Sequence, residues 1–259
     1  MWGRPPGLQP DPQVRLSNPR KNRIVLLPMA LHTEVMPDPL DSLWTRGYIR
    51  LGRLLTPPEC EQTRDLYSQP DLFRSRIDMA RYRFGRGEYQ YFSYPLPARI
   101  DQLRRDLYRA LAPTAVEWMC ALSKPRDYPN ELDAFLDECH AAGQQRPTPL
   151  LLKYQTGDYN CLHQDLYGEI FFPFQVVIGL SNPDTEYTGG ELLLVEQQPR
   201  AQSMGQVIRL QQGEAVAITT RYRPAKGSRG YYRTNFRHGV SPLLSGERFT
   251  LGIIFHDAS

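Results

Sequence analysis

His163-Gln164-Asp165, followed much later by His238 and then by Arg248 and Thr250, is a set of residue types able to hold a metal ion beside an organic anion. Two imidazoles and one carboxylate form the facial triad that binds non-haem Fe(II) on one side and leaves the remaining coordination positions open. Residues two apart on an extended strand share a face, so His163 and Asp165 are expected to reach one ion while Gln164 turns away. His238 is too distant in sequence for a zinc finger or a helical HExxH site, and suits a strand that pairs after a long excursion. From Arg248 to His256 the chain alternates, with Phe249, Leu251, Ile253 and Phe255 on one face and Arg248, Thr250, Gly252 and Ile254 on the other. An inward arginine left unpaired costs roughly 3–5 kcal/mol. A small dicarboxylate, gripped by the planar guanidinium with the Thr250 hydroxyl beside it, would remove that cost.

Strands must carry these residues, and the second half of the chain supplies them. Candidates at 150–155, 170–181, 191–196, 207–210, 215–220, 237–240 and 249–256 are separated by turn signals such as Asn182-Pro183-Asp184 and Thr188-Gly189-Gly190, which predicts a sandwich or jelly roll. The preceding part reads as helical. Thr56-Pro57-Pro58-Glu59 predicts an N-cap, prolines in the first turn and a helix to about Ser68, with further helices over 97–111, 113–122 and 130–142. The expected fold is mainly β with a helical N-terminal half: helices over about 56–145 buttress a β core over about 149–257, in one domain spanning 23–259. Residues 1–22 are rich in Pro, Arg and Asn without apolar periodicity, and are expected to form a flexible arm.

A length of 259 residues with 41% hydrophobic residues supports a substantial core, and a net charge of +3 is too small to argue nucleic-acid binding alone. The longest apolar run, Ile24 to Leu31, is broken by Pro28 and is too short for a membrane span, and the start of the chain has no apolar leader. The expectation is a cytoplasmic protein with no membrane partner. Cys60, Cys120, Cys139 and Cys161 show no CxxC spacing and read as reduced thiols, with Cys161 close enough to His163 to line the site.

The ordered set His163, Asp165, His238, Arg248 and Thr250 resembles the Fe(II)/2-oxoglutarate-dependent dioxygenases, whose motif is His-x-Asp, a long gap, His, then Arg with Ser or Thr two positions on. Longer strings resemble a bacterial group of these enzymes described as nucleic-acid oxygenases: Phe84-Gly85-Arg86-Gly87-Glu88-Tyr89, Arg146 to Leu152, Gly157 to Gly168, Gly189-Gly190-Glu191 and Leu251 to Asp257. The resemblance implies a double-stranded β-helix core (jelly roll, cupin-like). It implies His163, Asp165 and His238 as iron ligands and catalytic centre, and Arg248 and Thr250 as the grip on the distal carboxylate of 2-oxoglutarate. Tyr154, on the strand leading to the motif, stands where related oxygenases place a residue touching that co-substrate. The implied reaction couples hydroxylation or oxidative demethylation to conversion of 2-oxoglutarate and O2 into succinate and CO2, with ascorbate as an accessory reductant.

The substrate stays open between alkylated nucleic acid, a protein side chain and a small metabolite. A non-catalytic metal-binding or sensing module on the same fold is the alternative of a different kind; an intact arginine anchor argues against it. Tyr159, Asn160 and Tyr167 flank the metal motif and are candidates to face substrate. Arg221, Arg223, Lys226, Arg229, Arg233 and Arg237, interleaved with Tyr222, Tyr231 and Tyr232, read either as a solvated loop or as a lid that attracts an anionic substrate through Arg229 and Arg233. A second basic-aromatic run, Arg81-Tyr82-Arg83-Phe84-Gly85-Arg86, has the composition of a groove for single-stranded nucleic acid. His256 reads as a surface or strand-end histidine, and His32 and His140 as structural.

Overall fold

The computed structural model describes residues 39–259; the arm expected at 1–22 and His32 lie outside them. The chain runs through α1 (Pro39–Arg46), β1 (Tyr48–Arg53), α2 (Pro57–Asp65), β2 (Phe73–Asp78), β3 (Gly85–Arg86), β4 (Glu88–Phe92), α3 (Ala98–Ala121) and α4 (Leu132–Ala141). The β-rich part follows with β5 (Leu150–Gln155), β6 (Tyr159–His163), β7 (Phe174–Gly179), β8 (Tyr187–Gly189) and β9 (Leu192–Gln197). It ends with β10 (Met204–Ile208), β11 (Glu214–Thr219), β12 (Tyr222–Gly227), β13 (Gly230–Val240) and β14 (Leu243–Ile254).

These strands form two antiparallel sheets. The larger is ordered β1-β11-β7-β14-β5-β4-β2, with β8 added on β14; the smaller is ordered β10-β9-β13-β6-β3, with β12 added on β13. The crossovers between non-consecutive strands are those of a jelly roll, and the mainly β class expected from the sequence is met. The N-terminal part contributes more than helices, because β1, β2 and β4 extend the larger sheet at both edges.

Local chemistry explains the helices. Thr56 caps α2 in a capping box: its hydroxyl accepts from Glu59 N–H, and the Glu59 carboxylate accepts from Thr56 N–H at 2.8 Å. The two helices expected on either side of Pro113 are one continuous α3. An interior proline costs a helix about 3 kcal/mol. Burial of Leu107, Leu111, Trp118 and Met119 on one face outweighs this at roughly 1.5–3 kcal/mol per large apolar side chain. That face packs with Phe135, Phe172, Phe174 and Phe255 into the main aromatic core over the larger sheet.

Arg104 of α3 is fully buried, yet every part of its guanidinium has a partner. It donates to the Ile254 and Phe255 carbonyls, to the Asp257 carboxylate at 2.8 Å and to the Tyr94 hydroxyl, so the helix clamps the end of β14. His140 completes the cluster through Asp257 at 2.9 Å, a structural role as expected. His256 departs from expectation because it is buried in the same region. Its Nδ1 accepts from Phe172 N–H, and its Nε2 has no partner among the described residues.

Burial, helped by the Arg104 cation, pushes His256 down to about 4 from 6.5. The folded state therefore holds the neutral ring, whereas the unfolded chain takes up a proton as pH falls through 6.5. The stability contributed by the neutral ring is complete above pH 6.5 and is lost as pH falls toward about 4, a loss of about 3 kcal/mol. Chemical denaturation of wild type and His256→Asn between pH 7 and pH 5 checks this. The variant should show a flatter pH dependence; parallel curves would count against it.

Candidate active site

Paired strands bring the two histidines together. β6 and β13 run antiparallel with His163 directly opposite His238, and their ring centroids are 4.2 Å apart. Gly239 lets the strands approach this closely, since a Cβ there would stand 2.6 Å from the Asn160 carbonyl oxygen. Strand β6 ends at His163, so Asp165 lies just beyond it rather than within it. Gln164 turns away as expected and donates to the Phe236 and Arg221 carbonyls, which fixes the bend.

Ligand atoms of His163, Asp165 and His238 all lie within 4.8 Å of one another. Asp165 is 3.0 Å from His238 Nε2 and 3.5 Å from His163 Nε2. His163 Nδ1 lies 2.7 Å from the Cys161 carbonyl, which as acceptor sets the tautomer and leaves the Nε2 lone pair free for a cation. Tyr167 donates to the Asp165 carboxylate at 2.7 Å and in turn accepts from the Tyr91 hydroxyl at 3.0 Å. Burial and the Asp165 charge hold the Tyr167 phenol protonated, as a donor must be.

The charges are strongly coupled. Burial alone would raise the Asp165 pKa, but the two imidazoles more than offset it and hold the carboxyl well below its usual range. Burial pushes His163 down, but Asp165 outweighs it and the net shift is upward. Burial and the neighbouring His163 push His238 down. Two nitrogen donors and one ionised oxygen donor are a suitable set for a borderline divalent metal such as Fe(II).

Arg248 and Thr250 reach the same space from the other sheet. Arg248 lies opposite Tyr154 on β5, and Thr250 opposite Leu152 on β5 and Gly179 on β7. Both are buried, as is Tyr154, and all three line a cavity of about 330 Å³ shared with the His-Asp-His cluster. Gly190, at φ +65, gives Arg248 room: a Cβ there would sit 3.1 Å from its Cδ.

Among the described residues three arginines are buried, and their partners differ. Arg104 is saturated, and Arg223 is paired with the buried Glu196 at 3.0 Å. Among the described residues Arg248 has neither a carboxylate partner nor a hydrogen-bond acceptor for its Nε and Nη1 atoms, and its guanidinium stands over the rings of Tyr154 and Tyr187 at 5.4 and 6.0 Å. A cation so placed calls for an anion from outside the protein.

Asn160 and Tyr167 line the cavity, although Tyr167 is committed to Asp165. Tyr159 is outside the lining and partly exposed. The basic stretch after Thr219 is a β-hairpin, not a loop over the cavity. Arg223 is consumed internally, while Arg229 and Arg233 are exposed and do not line the cavity. Gln175 and Tyr91 were missed. Gln175 lies 3.5 Å from His238 Nε2 and betrays itself only as a lone amide in the apolar run of β7.

A protein-family model described as "Oxygenase, catalysing oxidative methylation of damaged DNA" matches residues 87–258, which include the His-Asp-His cluster, Tyr154, Arg248 and Thr250. The chain belongs to this oxygenase family. It is an oxygenase, and its His-Asp-His cluster has the donor set of the 2-oxoglutarate/Fe(II) class that its motifs resemble. Two uncharacterized proteins of Mycobacterium tuberculosis are each 54% identical over 168 residues, covering 65% of this chain and 72% of theirs. Solved structures similar to it include a Pseudomonas putida prolyl-4-hydroxylase (14% identity, TM-score 0.47, 85% of this chain and 97% of that one). Another is a 2OG-Fe(II) oxygenase-family oxidoreductase from Burkholderia pseudomallei (14% identity, TM-score 0.46, 85% and 90%). No helix among the described residues is long and apolar enough to cross a membrane.

Tyr167→Phe removes the Asp165 partner but no ligand atom. It is expected to weaken metal binding roughly 10–100-fold while leaving the fold intact. Calorimetric metal titration beside a thermal melt decides this; unchanged metal affinity would mean that Asp165 holds its position without the tyrosine.

Proposed function

We propose that this oxygenase oxidises an alkyl C–H bond on a DNA base, by hydroxylation or oxidative demethylation, with His163, Asp165 and His238 as its metal ligands and Arg248 as its co-substrate anchor. The observation that carries the roles is the unpaired buried guanidinium of Arg248, facing the His-Asp-His cluster across one cavity. The description of the matching family supports DNA as the substrate.

When bound, Fe(II) and 2-oxoglutarate supply O2 activation and C–H oxidation, and succinate and CO2 leave. The chain's own residues do the rest. The Cys161 carbonyl and the Tyr167 hydroxyl aim two of the ligands, so the donors are set before metal arrives. The planar fork of Arg248 takes the distal carboxylate, with the Thr250 hydroxyl on the same face as a further donor and the Tyr154 ring as a wall. The Leu150, Leu152 and Val177 side chains dry the cavity, which strengthens each of these contacts.

The test is succinate formation from 2-oxoglutarate with Fe(II) and O2 in the presence of methylated DNA strands, hydroxylatable peptides or small metabolites. Stimulation by methylated DNA, with loss of the methyl group or gain of oxygen by mass spectrometry, is expected. Stimulation by peptide or metabolite alone would replace the DNA reading while keeping the roles of the site residues.

A further inference from the structure

The segment from Met79 to Phe84 joins β2 to β3 and forms part of the cavity rim, with Arg83 and Phe84 in the cavity lining. It is pinned at several points. Met79 is fully buried, the Asp78 carboxylate accepts from Ala80 N–H, Phe84 N–H donates to the Met79 carbonyl, and the Phe84 carbonyl accepts from Cys161 N–H at 2.7 Å. Cys161 lies two residues before His163, so the segment is tied directly to the metal strand. Arg83, at φ 60, adopts a left-handed conformation that a non-glycine residue rarely takes, and this turns the chain so that Phe84 follows at the rim.

On this rigid base two aromatic rings face solvent. Tyr82 is 55% exposed and Phe84 48% exposed, and the rings stack at 5.6 Å with 20° between their planes. Arginines surround them. Arg81 and Arg83 are exposed and their guanidinium groups have no ion pair among the described residues; Arg86 is 64% exposed with only a 3.9 Å contact to Asp158. About half of each residue's surface stays open to solvent beyond their mutual stack, and among the described residues no carboxylate pairs with Arg81 or Arg83. Flat π-faces among free cations match the chemistry of an unpaired nucleotide strand, whose bases stack on the rings while its phosphates meet the arginines.

Building on the proposed DNA reading, we propose that Tyr82 and Phe84, with Arg81 and Arg83, form the platform that holds single-stranded DNA at the cavity mouth and sets a preference for unpaired over duplex DNA. A duplex keeps its bases inside the stack and must unpair one to use the platform.

The test is equilibrium binding of fluorescent single-stranded DNA, the same strand in a duplex, and an abasic strand of equal length, to the metal-loaded full chain across a salt series. Wild type should bind the single strand most tightly and the abasic strand weakly. Tyr82→Ala or Phe84→Ala should each weaken single-strand binding roughly 5- to 150-fold, the range for loss of one base-ring stack. Phe84→Trp should restore binding, and Phe84→Leu, apolar but without a π-face, should not. Arg81→Gln/Arg83→Gln should flatten the salt dependence.

Single-strand binding that is unchanged in both alanine variants would overturn the platform and leave the DNA reading standing. Equal rescue by Leu and Trp, or equal binding of abasic and normal strands, would also overturn it. Absence of binding to any strand at low salt would overturn both. Thermal melts separate a loss of binding from a loss of fold.

Discussion

His163→Ala, Asp165→Ala and His238→Ala are each expected to reduce 2-oxoglutarate-dependent succinate formation to the metal-free level. The loss should exceed the roughly 10–100-fold that accompanies removal of an outer hydrogen-bond partner, because each substitution removes one of three donor groups lying within 4.8 Å of one another. The two histidine variants also allow a check independent of turnover. They leave Asp165 with a single imidazole beside it, so metal titration should show weaker binding even where the melt shows an intact fold. Full turnover in any one of the three would remove that residue from the ligand set.

Arg248→Met should separate the two halves of the cavity. Two charge-assisted hydrogen bonds to the co-substrate would be lost, about 2–4 kcal/mol, or roughly a 30- to 1000-fold rise in the 2-oxoglutarate requirement, while metal binding changes little. The variant should also be more stable than wild type without ligand, since methionine replaces a buried cation whose Nε and Nη1 have no partner. A gain of even about 1 kcal/mol would raise the melting midpoint by about 2–4 °C in a domain of this size. Adding 2-oxoglutarate with metal should then stabilise wild type and not the variant. A variant less stable than wild type would mean that Arg248 has a structural partner after all, and an unchanged 2-oxoglutarate requirement would move the anchor to another cation.

The site was more legible than the frame that holds it. The alternation of 248–256 placed Arg248 and Thr250 on the inner face, and β5, β9 and β11 fell close to the expected spans, because buried strands near the centre of a sheet are rich in apolar residues. Strands β1, β2 and β4 escaped notice. Tyr48-Ile49-Arg50-Leu51-Gly52-Arg53 and Phe73-Arg74-Ser75-Arg76-Ile77-Asp78 carry charges on outward faces at the two edges of the sheet, where the apolar signal is weak. The unbroken α3 could not be read through Pro113, because its compensation lies in tertiary packing. The charge run after Thr219 keeps Arg229 and Arg233 exposed, in line with its solvated reading, but Arg223 could not be separated from them by composition. Glu196, the partner of Arg223, comes from a different strand, and only register shows that pairing. Tyr167 was singled out for its position beside the motif, but its hydroxyl is aimed at Asp165 by the bend after β6, which spacing does not encode.

The most direct test of the account is the anaerobic binding of 2-oxoglutarate to wild type, Asp165→Ala and Arg248→Met, measured by calorimetry with and without Fe(II). If the metal cluster and Arg248 grip opposite ends of one molecule, wild type should bind 2-oxoglutarate much more tightly with Fe(II) present. Asp165→Ala should lose that enhancement, and Arg248→Met should bind weakly in both conditions. Binding of 2-oxoglutarate that is indifferent to Fe(II) in wild type, or equal in all three proteins, would contradict a shared metal and co-substrate site in this cavity.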